Sequence, residues 1–176
     1  MKFHIQILFI AVFTTVFTFG QAKSIDKDSL KPIKDSINVK LSKVLTYGAN
    51  FEYHRALSLA IQCLKKSDSI KSDSLVGKSY LTLGIINSLL GKMDKSILDY
   101  RKAEAIFIKL KNYTMVGATY NNIAFAYYEN SQNLDSAVVY FKKGLDTFKY
   151  IGNTNRMALT SCNLGETYEK MNDLKN

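Results

Sequence analysis

The stretch of sequence that decides the fold is VGKSYLTLGIINSLLGKMDKSILDYRKAEAIFIKL, residues 76–110. The same pattern begins again at Val116 as VGATYNNIAFAYYENSQNLDSAVVYFKKGLDTFKYI, residues 116–151. Its first half alone occurs a third time, starting at Met157. Because repeat proteins are built from short units that recur at a fixed period, this self-similarity predicts a repeat architecture.

The spacing inside each copy is that of an α-helix, because it places the matching residues on one helix face. In the first half of each copy, the matching residues are separated by four, three, one and three positions. The three copies have Val76, Tyr80, Leu83, Gly84 and Asn87; Val116, Tyr120, Ile123, Ala124 and Tyr127; and Met157, Ser161, Leu164, Gly165 and Tyr168. In the second half the separations are four, three, four and three, at Ser96, Tyr100, Ala103, Phe107 and Leu110, at Ala137, Phe141, Gly144, Phe148 and Ile151, and more weakly at Ala56, Ala60, Cys63, Ser67 and Ile70.

Each unit is therefore predicted to be a pair of antiparallel helices, A and then B, joined by a short turn. The A–B turns are expected at residues 91–93 and 131–133, with Asp94 and Asp135 as N-caps of the B helices that follow. The period lengthens by one near Asn130–Asn133, where an inserted residue in a turn is tolerated far better than one inside a packed helix.

The B–A connections are predicted at Asn112 and at residues 152–153, where Gly152 caps the preceding helix. In the first unit, helix A is expected to begin at a cap on Asp35 or Ser36 and to reach Tyr47, and helix B to run from Phe51 to Ser67. The polar residues 65–74 read as the connection that follows, with Ser72, Asp73 or Ser74 capping the next helix.

Small and large side chains alternate at equivalent positions of the units. Gly84, Ala124 and Gly165 occupy one spot on helix A, and small residues recur in the same way on helix B. Small side chains allow helix backbones to approach closely, and large neighbours such as Phe107 and Phe141 fill the remaining space. This pattern favours stacked helix pairs that interdigitate.

The residues Leu83, Gly84, Ser96, Tyr100 and Ala103 follow the order and spacing of the tetratricopeptide signature, so the chain resembles the tetratricopeptide-repeat family from about residue 37 to residue 176. The later copies repeat the match. The usual unit has about 34 residues. The units here are longer, and in this they resemble the variant found in kinesin light chains and in the N-terminal parts of bacterial envelope sensor proteins. The chain departs from the signature in having no Trp and no Pro on helix B.

This resemblance implies an all-α fold, a right-handed superhelical array of antiparallel helix pairs (an α-solenoid) whose A helices line a groove that binds a protein or peptide. The groove residues expected from the register are Lys78, Thr82, Ile85, Asn121, Asn122, Phe125, Tyr128, Asn163 and Glu166.

Two of these residues, Asn122 and Asn163, are equivalent. In peptide-binding members of the family, an Asn on helix A holds the backbone of the bound peptide. The alternative role is a hydrogen bond between adjacent repeats. For Phe125 and Tyr128, packing between helices is favoured over binding. Only Lys78 and Lys170 lie near the groove, which argues against capture of a terminal carboxylate.

The N-terminus reads as a signal peptide. Lys2 precedes an apolar run from Ile5 to Phe19 of about 15 residues, too short for a membrane-spanning helix, and Gly20-Gln21-Ala22 offers a cleavage site. The expected domains are a signal peptide at 1–22, a flexible lead-in at 23–34 and a repeat domain at 35–176, with units at about 35–73, 74–112, 113–153 and 154–176. The mature chain is expected to be exported to the periplasm or cell envelope, with no membrane span.

The last unit is expected to be incomplete. Leu164, Tyr168 and Met171 would show an apolar face that a following helix should cover. This indicates a fragment of a longer chain, with homodimerisation through the uncovered C-terminal helix as the alternative.

The sequence offers little for catalysis, metal binding or nucleic-acid binding. His4 and His54 have no metal-ligand partners at suitable spacing, and no phosphate loop or nucleophile motif occurs. Glu166 and Glu169 read as a solvated or partner-facing pair. The net charge of +9 falls to +8 without Lys2, but the lysines are scattered and not arranged in a basic stripe. Cys63 and Cys162 are expected to be unbridged, buried helix-packing residues.

These observations predict an exported, non-catalytic binding module without a cofactor or a metal. The alternative is the sensory N-terminal part of an envelope histidine kinase or of a membrane-tethered transcription regulator.

Overall fold

Every regular element in residues 29–129 and 133–174, the part that this computed structural model describes, is a helix: α1 (Lys31–Ala49), α2 (Tyr53–Ser69), α3 (Asp73–Leu89), α4 (Met93–Lys109), α5 (Tyr113–Glu129), α6 (Leu134–Tyr150) and α7 (Thr154–Asp173). The odd-numbered helices are the predicted A helices and the even-numbered ones are the B helices. The all-α prediction is confirmed for these residues. The predicted signal peptide at 1–22 and the first half of the lead-in, residues 23–28, lie outside them.

The helices follow one another with a constant rhythm. Helices α2 to α6 each have 17 residues. The starts of α2 to α5, at Tyr53, Asp73, Met93 and Tyr113, are evenly spaced, whereas α6 starts at Leu134, one position later than this spacing would give. The inserted residue therefore lies between Glu129 and Leu134, as the change of period predicted. Residues 131 and 132 of the predicted turn lie outside the described ranges.

The described turns share one geometry, the Schellman motif, in which a residue with left-handed backbone follows the helix end. In the α3–α4 turn, the Gly91 N–H donates to the Ser88 carbonyl at 2.8 Å and the Lys92 N–H donates to the Asn87 carbonyl at 2.8 Å. The same pair of bonds ends α1, α2, α4 and α6. The left-handed residues are Phe51, Lys71, Gly91, Lys111 and Gly152. The predicted capping role of Gly152 is confirmed, and the three non-glycine positions were not predicted.

Asp94 and Asp135 do not cap the B helices, so that prediction is wrong. The N-cap positions are Lys92 and Asn133, because each helix begins earlier along the chain than expected. Both carboxylates instead lie in the first helical turn, where negative charge interacts favourably with the helix dipole.

Two asparagines cap A helices. The Asn153 side chain accepts a bond from the Arg156 N–H at 3.1 Å, and the Asn112 side chain accepts one from the Met115 N–H at 3.2 Å. Each satisfies one of the N–H groups that a helix leaves unpaired at its start. The predicted connections at these residues are therefore helix starts.

The first unit contains more helix than predicted. Helix α1 begins at Lys31, before the expected cap at Asp35 or Ser36. Pro32 is compatible with this start because a residue in the first turn needs no N–H donor. The polar stretch 65–74 is mostly helical, since α2 ends at Ser69 and α3 begins at Asp73.

The core is built where consecutive helices contact one another. From Lys34 onward the chain forms one compact unit. Phe107, Phe141 and Phe148 are among its largest fully buried side chains. Glycines make room for them: a Cβ atom at Gly117 would lie 2.7 Å from the Phe148 ring, and one at Gly77 would lie 2.9 Å from the Phe107 ring.

The predicted small spot on helix A is confirmed at Gly84 and Ala124, which are buried. A Cβ atom at Gly84 would overlap the ring of Tyr100. At Gly165, by contrast, a Cβ atom would meet nothing within 4 Å. The equivalent face of α7 is therefore uncovered in the part of the chain that is described.

Candidate functional site

The predicted groove corresponds to one face of three A helices. On that face the register positions are Lys78, Thr82, Ile85 and Leu89 on α3, Ala118, Asn122, Phe125 and Glu129 on α5, and Leu159, Asn163, Glu166 and Lys170 on α7. The four positions of each helix are three or four apart in sequence, so their side chains share a face. Of the predicted residues, Asn121 and Tyr128 are each one position away from it.

The two groove lysines hold A helices together. Lys78 Nζ donates to Asn38 Oδ1 at 3.1 Å, which joins α3 to α1. Lys170 Nζ donates to the Tyr128 carbonyl at 2.9 Å and lies 4.1 Å from the centroid of the Tyr128 ring, which joins α7 to α5. Both ammonium groups already have partners, which agrees with the argument against carboxylate capture.

Thr82 and Tyr128 contribute to packing and not to an open groove surface. Thr82 is buried, and its hydroxyl donates to the Lys78 carbonyl at 2.9 Å. Its predicted place in the groove lining is wrong because α3 is covered on more sides than an end helix. The Tyr128 ring is half-buried beneath Lys170 and stacks on Phe125 with 5.9 Å between ring centroids. Ile85 is also half-buried, against the core.

Asn121 lies between helices, so its placement in the groove is corrected as well. Its Nδ2 donates to Thr160 Oγ1 on α7 at 2.7 Å. Its Oδ1 is buried against Gly144 of α6, and it has no hydrogen-bond partner among the described residues. Asn121 thus supplies the bond between repeats that was the alternative role for Asn122 and Asn163.

The side-chain amides of the equivalent pair Asn122 and Asn163 have no hydrogen-bond partner in the described part of the chain. Both residues are half-buried, and neither amide bonds to another residue within 29–129 or 133–174. A primary amide offers two donors and an acceptor, the complement of a peptide backbone. Asn122 places these donors and this acceptor on α5, and Asn163 places them on α7. Glu166 is exposed on the same face of α7.

An open cleft lies beside this face, between α3 and α5. Its volume is about 680 Å³, and it is lined by Ser88, Leu89, Gly91, Met93, Phe125 and Glu129. The side chains of Leu89 and Phe125 are 47% and 50% exposed, a large fraction for apolar groups. The cleft therefore offers an apolar wall with one carboxylate at its edge.

Other chemistry-bearing residues lie apart from this cleft. His54 is exposed. Both thiols are free, and burial raises the pKa of Cys63. Cys162 is exposed, so the prediction that it packs in the core is wrong. Cys162 is the repeat equivalent of Leu81 on α3 and Asn121 on α5, which the helices that follow them cover. No described helix follows α7, so the side chain of Cys162 is left exposed.

Residues 29–129 and 133–174 contain no group of three or more His, Cys, Asp or Glu side chains that could hold a metal ion. In the same residues, no helix combines the length and the apolar character that crossing a membrane requires.

The helix pair α3–α4 carries the family signature. A sequence model of the tetratricopeptide repeat matches residues 77–107, which span most of this pair. Over these residues the chain is similar to the tetratricopeptide-repeat family. No curated protein matches the sequence. The helical array is similar to a crystal structure of BtubC (BKLC) from P. vanneervenii, with a TM-score of 0.67 and 20% sequence identity. The alignment covers 88% of this chain and 61% of that one, so the array spans less than two thirds of its neighbour. At this identity the likeness concerns the fold alone.

Proposed function

We propose that the chain is a non-catalytic scaffold that holds an extended segment of a partner protein or peptide along its A helices. The observation that carries the proposal is the pair of half-buried amides of Asn122 and Asn163, which have no hydrogen-bond partner among the described residues and lie next to the exposed ring of Phe125. The match of residues 77–107 to the tetratricopeptide-repeat model supports a role in protein interaction.

The site offers two kinds of contact. The amides at Asn122 and Asn163 can each pair with a backbone N–H and C=O of the partner, independently of its sequence. The cleft beside Phe125 and Leu89 can take an apolar side chain and so select among sequences. Since the A helices are already packed, little conformational freedom is lost at the site on binding.

A selection for ligands tests this proposal. Random dodecapeptides displayed on phage are panned against the chain, and the selected peptides are measured by calorimetry. The Asn122→Ala/Asn163→Ala variant should bind them at least tenfold more weakly, because two hydrogen bonds of about 1 kcal/mol each are lost. Phe125→Ala should have a comparable effect. The melting temperature should stay within about 2 °C, since neither amide has a described partner.

The matched control is Asn50→Ala/Asn172→Ala, which removes two exposed amides, one in the turn after α1 and one on α7, that do not lie in the register of the groove face. It should leave peptide affinity unchanged. An equal loss in the control, or a large drop in melting temperature in the groove variant, would contradict the proposed role of the amides.

We further propose that the protein is exported and that residues 1–22 are removed. Lys2, the apolar run and Gly20-Gln21-Ala22 support this. Mass spectrometry of the full chain produced in a bacterial host should show a product that begins at or near Lys23 in the periplasmic fraction. A cytoplasmic product that keeps Met1 or Lys2 would refute export.

The second candidate function is the sensory N-terminal part of an envelope kinase or regulator. A signal-like N-terminus combined with the long repeat period, from Val76 to Val116 and on to Met157, favours it. The coding sequence downstream of the Asn176 codon distinguishes the two: a hydrophobic span followed by kinase or helix-turn-helix signatures supports the sensor, and an early stop codon supports the free module.

A further inference from the structure

In the first unit an opening lies between helix A (α1) and helix B (α2). We call this opening, and the equivalent positions between the A and B helices of the next two units, the slot. The slots occupy equivalent positions, at Lys40, Lys43, Tyr47, Leu59 and Gln62 in the first unit, at Tyr80, Leu83, Asn87, Asp99 and Lys102 in the second, and at Tyr120, Ile123, Tyr127, Tyr140 and Lys143 in the third. This slot is distinct from the groove lined by Asn122 and Asn163.

In the second and third units the preceding B helix closes the slot. Leu83 is buried in one cluster with Ala56 and Ala60 of α2. In the third unit Ile123 is fully buried, and the Arg101 guanidinium of α4 lies 5.0 Å from the centroid of the Tyr140 ring. Interior slots therefore carry an aliphatic residue that the neighbouring repeat covers.

The slot of the first unit has a different chemistry. Lys40 and Lys43 stand where the other units have a tyrosine and a buried aliphatic residue, and both lysines are exposed. An opening of about 260 Å³ remains, lined by Lys40, Lys43, Tyr47, Arg55, Ser58, Leu59 and Gln62.

Two cations lie close to one ring in this opening, and Lys40 adds a third positive charge to its lining. The Arg55 guanidinium lies 4.5 Å from the centroid of the Tyr47 ring, and Lys43 Nζ lies 5.6 Å from it. Glu52 pairs with Arg55 at 2.9 Å, whereas Lys40 and Lys43 have no carboxylate partner in the described part of the chain. Residues 31–69 carry seven Lys and Arg against three Asp and Glu, so no nearby excess of acid offsets the charge.

We propose that this cationic slot docks an acidic segment of a partner protein, with carboxylates at Lys40 and Lys43 and an apolar side chain against Tyr47 and Leu59. Another repeat of the usual kind fits poorly, because its apolar face would bury two ammonium groups without counter-charges. The Glu52–Arg55 pair shows how a carboxylate engages the edge of the slot. The array then has two docking surfaces, the A-helix groove and this end slot.

The test uses the full chain and a fluorescein-labelled dodecapeptide in which Glu-Glu-Leu is repeated four times. Fluorescence anisotropy should show binding at low salt, and a peptide with Gln in place of Glu should bind at least tenfold more weakly. Lys40→Ser/Lys43→Ser should also weaken binding at least tenfold. The matched variant Lys95→Ser/Lys149→Ser removes two exposed lysines elsewhere and should change the affinity less than twofold.

Charge reversal keeps the test valid if a variant loses stability. Lys40→Glu/Lys43→Glu should lose the acidic peptide and gain affinity for a Lys-Lys-Leu peptide of the same length. Asn122→Ala/Asn163→Ala should leave binding of the acidic peptide unchanged, which separates this surface from the groove.

Four outcomes would overturn the proposal. Equal losses in the slot and matched variants would indicate attraction by net charge alone. Equal binding of the Gln peptide would remove the need for carboxylates. Stronger binding by Asp26→Asn/Asp28→Asn would identify the chain's own acidic residues as the occupant. Phosphatidylglycerol vesicles that bind through Lys40 and Lys43, when the acidic peptide does not, would identify a lipid surface instead.

Discussion

The presence or absence of a single Cβ atom affects how closely two helices of this array can approach each other. Gly84 faces the ring of Tyr100, which is 2% exposed and held by its neighbours, whereas Gly165 at the equivalent position faces open space. The two glycines differ only in surroundings. An added methyl group raises helix propensity at both, but at one of them it also creates a clash.

Gly84→Ala should therefore lower the free energy of unfolding by about 1–3 kcal/mol through overpacking. Gly165→Ala should raise it by roughly 0.5–1 kcal/mol, because alanine is the better helix former. Urea denaturation followed by circular dichroism measures both. A destabilising Gly165→Ala would show that a further element covers α7.

A second residue-scale effect concerns Asp99. Burial raises the pKa of its carboxyl group, although the Asn87 Nδ2 donates to it at 2.8 Å and lowers that shift. A raised folded-state pKa means that the charged form is less favourable in the folded chain than in the unfolded chain. The penalty is present at neutral pH and disappears as the pH falls through the folded-state pKa.

Asp99→Asn should accordingly be more stable than the wild type at neutral pH, since an amide keeps an acceptor for Asn87 without the charge. The difference should shrink as the pH is lowered into the range where Asp99 is protonated. Melting temperatures of both proteins from neutral to acidic pH provide the comparison. If the difference in melting temperature between the two proteins increased at acidic pH, burial of the charged carboxylate could not be its cause.

At the scale of elements, the turns are the regular feature. Five described turns place a residue in the left-handed region at equivalent positions, and only Gly91 and Gly152 are glycine. Phe51, Lys71 and Lys111 adopt backbone angles that are unfavourable for residues with a Cβ atom. The surrounding helix packing imposes the turn despite this cost.

Lys71→Gly and Lys111→Gly should each stabilise the chain, by up to about 1 kcal/mol, because glycine reaches the left-handed region without that strain. Both side chains are exposed, so little packing is lost. Thermal denaturation of each variant tests the effect, with Lys92→Gly as the control because that residue has a negative φ, of -88°. If Lys71→Gly and Lys111→Gly lost as much stability as Lys92→Gly, the left-handed backbone at these two lysines would not be strained.

The contact between α5 and α6 depends on a matched pair of residues. Phe148 is fully buried, and the absence of a Cβ atom at Gly117 gives its ring a place. The same pair occurs one unit earlier as Phe107 and Gly77. Substitutions at Gly117 and at Phe148 should therefore have coupled effects on the free energy of unfolding.

Gly117→Ala should destabilise the wild type by about 1–3 kcal/mol but the Phe148→Leu variant by much less, because leucine leaves room for the new methyl group. A double-mutant cycle from urea denaturation should give a coupling energy of about 1 kcal/mol or more. Additive effects would mean that the two residues do not restrict each other.

At the scale of the whole molecule, burial is greatest in the middle of the array. Helix α3 contributes nine buried residues, whereas α1 contributes four and α7 contributes two, Thr160 and Thr167. In a repeat array each helix is stabilised mainly by its immediate neighbours. The end helices are thus expected to open locally before the central ones.

Hydrogen–deuterium exchange by mass spectrometry should show the slowest exchange in α3 to α6 and faster exchange in α1 and α7. The acidic peptide should slow exchange in α1 and α2, and a groove peptide should slow it in α5 and α7. Uniform protection from α1 to α7 would imply a single cooperative unit or additional contacts at the ends.

The sequence was sufficient to predict helices, their pairing, the single inserted residue and the small spot at Gly84 and Ala124. These features depend on the spacing of apolar and small residues along the chain. Helix geometry relates that spacing directly to the face on which each residue lies. The left-handed residues at Phe51, Lys71 and Lys111 escaped prediction because their side chains give no turn signal of the kind that glycine gives.

The tertiary structure alone decided which polar side chains of the A helices are engaged between repeats. Asn121 and Asn122 are identical and adjacent, yet Asn121 joins two repeats, whereas the amide of Asn122 has no partner among the residues that the structure describes. Successive side chains on a helix point about 100° apart, so their surroundings depend on where α6 and α7 pack. A periodic sequence determines that helices stack, whereas the position of each neighbour determines which side chains remain available to a partner.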